Sequence, residues 1–225
     1  KTAETVGCPV CDDVDALLTL QPEYIVETAS VEAVRAMAVP VLKKGVNLVI
    51  ISIGAFADLD FYEQVKAAAV EGGAKVHLAS GAIGGLDCLR AARVGGLAEV
   101  TYIGRKPPAG WKGSPAEVEL DLDQLSRPAI HFEGTARKVA IAYPKNANVA
   151  AAVALAGTGF DATRVRLIAD PAINTNIHEI HATGAFGSFT FRVDGQALPD
   201  NPRSSALAAM SVVAAIEQQD AAITI

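Results

Sequence analysis

Asn174-Thr175-Asn176-Ile177-His178-Glu179-Ile180-His181 is the stretch whose residue types and spacing could do chemistry. Read as a strand, its side chains alternate between two faces. Asn174, Asn176 and His178 then share one face, while Glu179 and His181 share the other. Two amides and an imidazole on one face suit a polar small-molecule pocket, although an edge strand with one wet face shows the same alternation. His178 and His181 fall on opposite faces, which argues against a His-x-x-His metal pair. His77, inside an apolar run, reads as structural, and His131 has no assignment. Cys8-Pro9-Val10-Cys11 has the Cys-x-x-Cys spacing. Zinc would need a second ligand pair and only Cys88 remains, and no strand precedes the motif as a redox helix would require. It is read as carrying no chemistry, and no metal site is expected.

The elements that must position such a face can be read from the chain in order. Tyr24–Glu27 reads as a strand, Val31–Leu42 as a helix, and Val46–Ile53 as a strand buried on both faces. Phe61–Glu71 reads as a helix ended by Gly72-Gly73, and Lys75–Ala79 as a third strand. A short helix, Val14–Leu20, precedes them. This alternation of near-continuous apolar strands with helices implies a parallel sheet with right-handed crossovers. Ligands of such sheets sit at the carboxyl ends of the strands. Those ends are Thr28-Ala29-Ser30, Ser52-Ile53-Gly54-Ala55 and Ser80-Gly81-Ala82, small residues that let a ligand approach the backbone.

The pattern then changes. A helix from about Gly84 to Ala92 and a strand Glu99–Arg105 are followed by a Pro107–Trp111 loop and an extended run, Ala129–Phe132. Two helices, Ala136–Ala142 and Ala147–Ala156, lead to strands Val165–Ala169, Ile177–Ala182 and Ser188–Val193. Asp194-Gly195 is a type I′ hairpin signal. Asn201-Pro202-Arg203-Ser204-Ser205 leads into a side-chain-capped helix from about Ala206 to Gln218. The reading is therefore α/β: a partial Rossmann-type parallel sheet plus a second α+β domain with a mostly antiparallel sheet. Gly157-Thr158-Gly159-Phe160-Asp161-Ala162 matches a dinucleotide fingerprint by letter only. It follows a helix and precedes a strand, so it is read as the glycine end of a helix.

Composition bounds the function. With 225 residues, 51% hydrophobic and 20% charged, the chain can bury a sizeable core. A net charge of −6 without a basic cluster beyond Lys43-Lys44 argues against a nucleic-acid surface. No apolar run reaches the ~18–20 residues of a membrane span. Three cysteines, an odd and low count, suit a reducing cytoplasm.

With these elements in place the sequence resembles the L-aspartate dehydrogenase family essentially from end to end. The resemblance is carried by Val26-Glu27-Thr28-Ala29-Ser30, Ser52-Ile53-Gly54-Ala55, Gly81-Ala82-Ile83-Gly84-Gly85-Leu86-Asp87 and Arg105-Lys106-Pro107-Pro108. It continues through Tyr143–Ala150, Asp170-Pro171, Asn176–Ile180, Gly184-Ala185-Phe186-Gly187 and Asn201-Pro202. Each motif is weak alone; their order and spacing together are specific. The resemblance implies a two-domain, dimeric enzyme that oxidises L-aspartate with NAD or NADP. The product iminoaspartate then hydrolyses to oxaloacetate and ammonia or feeds NAD biosynthesis. It places the active-site histidine on His178 and cofactor contacts on Ala82 and Asn148. It implies a dinucleotide-binding domain at 1–95 joined by a C-terminal helix at 203–225, with a catalytic and dimerisation domain at 96–202. Family members begin with a strand, a glycine-rich turn, a helix and a second strand, which are not seen here. A βαβ unit takes roughly 30 residues or more, so about that many are expected before Lys1.

The chemistry agrees with the residue types. Hydride leaves the aspartate Cα, water adds to the imine, and ammonia leaves through a carbinolamine. Both proton movements suit a base whose pKa starts near about 6.5, which is histidine's. Asn148, at a helix start, could hold the cofactor's nicotinamide side or simply cap the helix. Two alternatives stay open: an oxidoreductase of the same plan acting on another amino or hydroxy acid, and a dinucleotide-binding protein without catalysis.

Overall fold

The computed structural model describes residues 5–198 and 201–223. The last two residues of the expected 203–225 helix and the first four of the 1–95 domain lie outside them. A short helix α1 (Val14–Leu18), capped by the Asp13 carboxylate, leads to β1 (Tyr24–Glu27). Ser30 caps α2 (Val31–Lys43), and β2 (Asn47–Ile50) follows. The run expected to stay extended to Ile53 instead leaves the strand at Ile50 and turns through a 3-10 segment, Ile53–Ala57. Gly54 and the small alanines there permit the tight turn that the apolar pattern concealed. Asp58 caps α3 (Leu59–Gly72), which stops at Gly73 in the left-handed region, φ +67. β3 (Val76–Leu78) completes a parallel sheet of order β1-β2-β3, and among the described residues β1 pairs with β2 alone. Gly72 marks where α2 and α3 touch. A Cβ there would fall 1.9 Å from the Leu42 carbonyl oxygen.

The second half is built on a five-stranded sheet. α4 (Leu86–Gly95) precedes β4 (Leu97–Lys106), and a short α5 (Ala116–Glu119) precedes β5 (Ala129–Thr135). α6 (Ala136–Ala142) and α7 (Asn148–Ala156) lead to β6 (Arg164–Ala169), β7 (Asn176–Gly184) and β8 (Gly187–Gly195). The order is β5-β6-β4-β7-β8, antiparallel except for the β4–β6 pair. The chain closes with β9 (Ala197–Leu198), β10 (Asn201–Ser205) and α8 (Ala206–Asp220). No described helix is long and apolar enough to cross a membrane.

Three expectations need correction. The hairpin turn is Ala185-Phe186, not Asp194-Gly195: Gly184 pairs with Gly187, whose φ of +111 supplies the left-handed step. Asp194 and Gly195 stay in the ladder opposite Ile177 and Asn176. α8 receives no side-chain cap from Ser205, because β10 runs directly into it. Asn174 sits in a bend before β7, so the polar face keeps Asn176 and His178 only.

One apolar core joins both halves. α7, almost all alanine and valine, lies close on the inner face of the five-stranded sheet, with Val100, Tyr102, Val165, Leu167 and Ile180 beneath it. The same core continues through Phe56 and Ile53 to α2 and β2. On the other face of the parallel sheet, Val212 of α8 packs on Val49 and Ala79. The Ser211 hydroxyl accepts the Gly81 N–H at 3.0 Å.

Candidate active site

His178 lies on the inner face of the five-stranded sheet, 6% exposed, directly opposite Gly104 of β4. Alternation puts Tyr102, Gly104 and Lys106 on that face of β4, and Asn176, His178 and Ile180 on the same face of β7. The Tyr102 side chain runs along the strand over Gly104, and its Oη meets His178 Nδ1 at 2.7 Å. Gly104 is what leaves room: a Cβ there would stand 2.7 Å from that hydroxyl. The two rings lie nearly parallel, 15° apart.

Burial and then the nearby Lys106 charge lower the His178 pKa to about 4. The imidazole is therefore neutral at neutral pH, in the form a base requires. Burial also raises the Tyr102 pKa, so the phenol keeps its proton. Lys106 Nζ donates to Asn146 Oδ1 at 2.6 Å and lies 4.8 Å from the Trp111 ring centroid. Burial lowers its pKa to about 8, which leaves it protonated at neutral pH. His131 joins the same neighbourhood at the bulge in β5. Its Nδ1 is 3.1 Å from the Tyr143 hydroxyl, its ring packs edge-on to Trp111, and burial followed by Lys106 lowers its pKa to about 4.

The two cofactor residues expected from the sequence lie one in each half, Ala82 in the first and Asn148 in the second. Ala82 is buried in the loop that ends β3, and that loop rests on the sheet. A Cβ on Gly84 would stand 2.7 Å from the Phe191 ring of β8, two pairs along from His178. Asn148 does not cap its own helix with its side chain; Ala147 holds that position. Its Oδ1 instead accepts the Gly54 N–H at 3.1 Å, fastening α7 to the loop that ends β2. Arg137 adds a second tie: it donates to the Ala57 carbonyl while paired through two bonds with Asp161.

Glu27 organises the strand ends themselves. Buried at the end of β1, its carboxylate accepts the N–H groups of Ala29, Ser30 and Ser52 and the Ser52 hydroxyl. It thereby holds the first two loops side by side. Nothing in its local sequence distinguishes this buried bracket from an edge-strand glutamate.

His181 faces the other way, as alternation requires. It bonds Glu179 at 3.2 Å, which also pairs with Arg192 at 2.7 Å. His77 sits on β3 near Tyr24, away from this group. Gly157 and Gly159 close α7 through backbone bonds to Val153 and Ala154, the glycine helix end expected. Cys8, Cys11 and Cys88 are free. Among the described residues no cluster of three or more His, Cys, Asp and Glu side chains could hold a metal ion.

Two family models match successive parts of the chain. Residues 87–219 match the family model "Aspartate dehydrogenase, C-terminal". Residues 1–79 match "Homoserine dehydrogenase, NAD binding domain". An L-aspartate dehydrogenase of Ruegeria pomeroyi is 55% identical over 92% of this chain and 75% of its own length. One of Acinetobacter baumannii is 45% identical over 100% of this chain and 88% of its own length. The crystal structure of aspartate dehydrogenase from Thermotoga maritima superposes with a TM-score of 0.74 at 32% identity, covering 90% of this chain and 78% of that one. A hyperthermophilic archaeal homoserine dehydrogenase in complex with NADPH shares the fold, with a TM-score of 0.57 at 12% identity. A buried histidine held by a tyrosine and these likenesses along the chain agree: it belongs to the L-aspartate dehydrogenase family.

Proposed function

We propose that this protein oxidises L-aspartate with NAD or NADP, and that His178 moves the protons of the deamination. Iminoaspartate is the first product, and its hydrolysis gives oxaloacetate and ammonia. The observation that carries the assignment is the seating of His178. It is buried, neutral, fixed through Nδ1, and on the sheet face that the loop after β3 meets at Phe191.

The residues present suit a dinucleotide. The ends of β2 and β3 are closed by small residues, Gly81 takes φ +71, and Glu27 braces the adjoining loops. A Cβ on Gly54 would come 3.2 Å from Asn148 Oδ1, so glycine lets that side chain lie close against the loop. Ala82 and Asn148 would hold the cofactor. When bound, the nicotinamide accepts the hydride that leaves the substrate Cα.

His178 Nε2 then takes a proton from the water that adds to the imine carbon. It returns that proton to the carbinolamine nitrogen, and the imidazole, neutral again, takes the hydroxyl proton as ammonia leaves and the carbonyl forms. For Nε2 to act as base, Nδ1–H must donate to the Tyr102 oxygen, and the imidazolium makes that same bond. Tyr102 thus holds the ring in one orientation through both protonation states.

Residues 1–95 with the C-terminal helix α8 serve as the cofactor half, and 96–202 as the catalytic and dimerisation half. The Ser211–Gly81 bond and the seat of Val212 support this division. A homodimer is supported by the outer sheet face, where Ile130 is 48% exposed. Free cysteines suit a cytoplasmic setting, where the iminoaspartate could also enter NAD biosynthesis.

The test is NAD(P)H formation from L-aspartate, followed by absorbance, with the wild type and His178→Ala. The variant should lose at least about a thousandfold in kcat while still binding NAD(P)H. Undiminished turnover in that variant would overturn the assignment.

A further inference from the structure

Lys106 is a half-buried cation whose partner is a neutral amide. Arg105, Arg137, Arg166 and Arg192 of the same half each meet a carboxylate. Among the described residues Lys106 enters no ion pair, and its ammonium is held by Asn146 Oδ1 and the face of Trp111. Withdrawing an ammonium from water is costly, and a counter-anion is what offsets that cost. Its charge also reaches both neighbouring histidines, His131 and His178. His131 keeps its buried Nε2 without a hydrogen-bond partner. The face beside the base is thus positive and short of acceptors, which is the complement of a carboxylate.

Geometry gives the direction. Gly104 stands opposite His178, and Lys106 lies two residues further along β4 on the same face. Two residues of strand span about 7 Å, the reach of a four-carbon diacid with its side chain. The α-carboxylate is one bond from the carbon that loses hydride, and the side-chain carboxylate is a bond further.

We propose that Lys106, oriented by Asn146, binds the side-chain carboxylate of the substrate and so selects a dicarboxylic amino acid. The choice of an amino diacid rests on the function proposed above.

The experiment uses the full chain as wild type, Lys106→Met, Lys106→Arg and Asn146→Asp. Succinate serves as an unreactive dicarboxylate and butyrate as its monocarboxylate counterpart. Lys106→Met should raise the KM for L-aspartate and the Ki for succinate by at least about thirtyfold and abolish the preference for succinate over butyrate. The KM for NAD(P) should stay within about threefold, and Lys106→Arg should keep part of the preference. Asn146→Asp places a carboxylate on the ammonium from within the protein, so it should raise both constants about tenfold. This near-isosteric variant decides the matter if Lys106→Met fails to fold by circular dichroism. If the wild type oxidises aspartate and neither Lys106→Met nor Asn146→Asp moves these constants beyond about threefold, the inference falls and the function stands. If the wild type does not oxidise aspartate, the function falls. Calorimetry of succinate binding then judges Lys106 by itself: weaker binding in Lys106→Met supports it, and equal binding overturns it.

Discussion

Alternation along Asn176–His181 made the face of His178 readable in the sequence, apart from that of Glu179 and His181, and the family resemblance singled it out as the base. Tyr102, Lys106 and His131 were not readable. Tyr102 lies 76 residues from His178, and only the β4–β7 register brings them together. Local pattern carries no information about register between distant strands. The two buried imidazoles make stability depend on pH. His131 and His178 have folded pKa values of about 4, against about 6.5 for free histidine. Between those values the unfolded chain binds more protons, so stability is full above about pH 6.5 and falls as pH drops toward 4. For His178 alone the loss is about 3 kcal/mol across that window. Urea midpoints measured from pH 7 to 4 should fall, and more shallowly in His131→Gln. A midpoint independent of pH in that range would contradict the buried neutral state of both rings.

At the scale of elements, the strands and helices followed from apolar runs and caps, and the errors occurred where glycine decided the path. The Ser52–Ala57 run kept its apolar character while turning out of the sheet. Asp194-Gly195 looked like a turn, yet Gly184 and Gly187 made one first. Gly104 shows the same principle inside a strand. It weakens β4 locally and earns no packing of its own, but it leaves the channel that the Tyr102 ring occupies. Gly104→Ala should displace the tyrosine hydroxyl, cost about 1–3 kcal/mol of stability and lower kcat at least about tenfold. Thermal melting and steady-state rates check both. A stable variant with full activity would mean that the Tyr102–His178 bond does not orient the base.

The whole molecule was legible as two parts, because continuous apolar strands alternating with helices differ from a later succession of strands. How the parts face each other was not, since the polar ties between them join remote residues, Gly54 to Asn148 and Arg137 to Ala57, and within the first part the bond of Ser211 to Gly81 is as remote. The last of these lets a helix near the end of the chain set the loop that closes β3. Ser211→Ala should leave the Gly81 N–H without its acceptor and weaken NAD(P)H binding about fivefold, or about 1 kcal/mol, with the KM for aspartate unchanged. Equal dissociation constants for wild type and variant would show that the loop holds its shape without the helix.

The protein has one tryptophan, Trp111, and its ring is buried between the Lys106 ammonium and the His131 imidazole. Its ultraviolet emission therefore originates at a single place, beside the base, and needs no added label. A carboxylate settling on Lys106 changes the charge over the indole, and reduced nicotinamide nearby absorbs in the band where indole emits. Titration with succinate should shift or quench the emission on its own, and NADH should quench it by energy transfer. The two halves of the binding event can then be timed separately by stopped flow, in the native sequence.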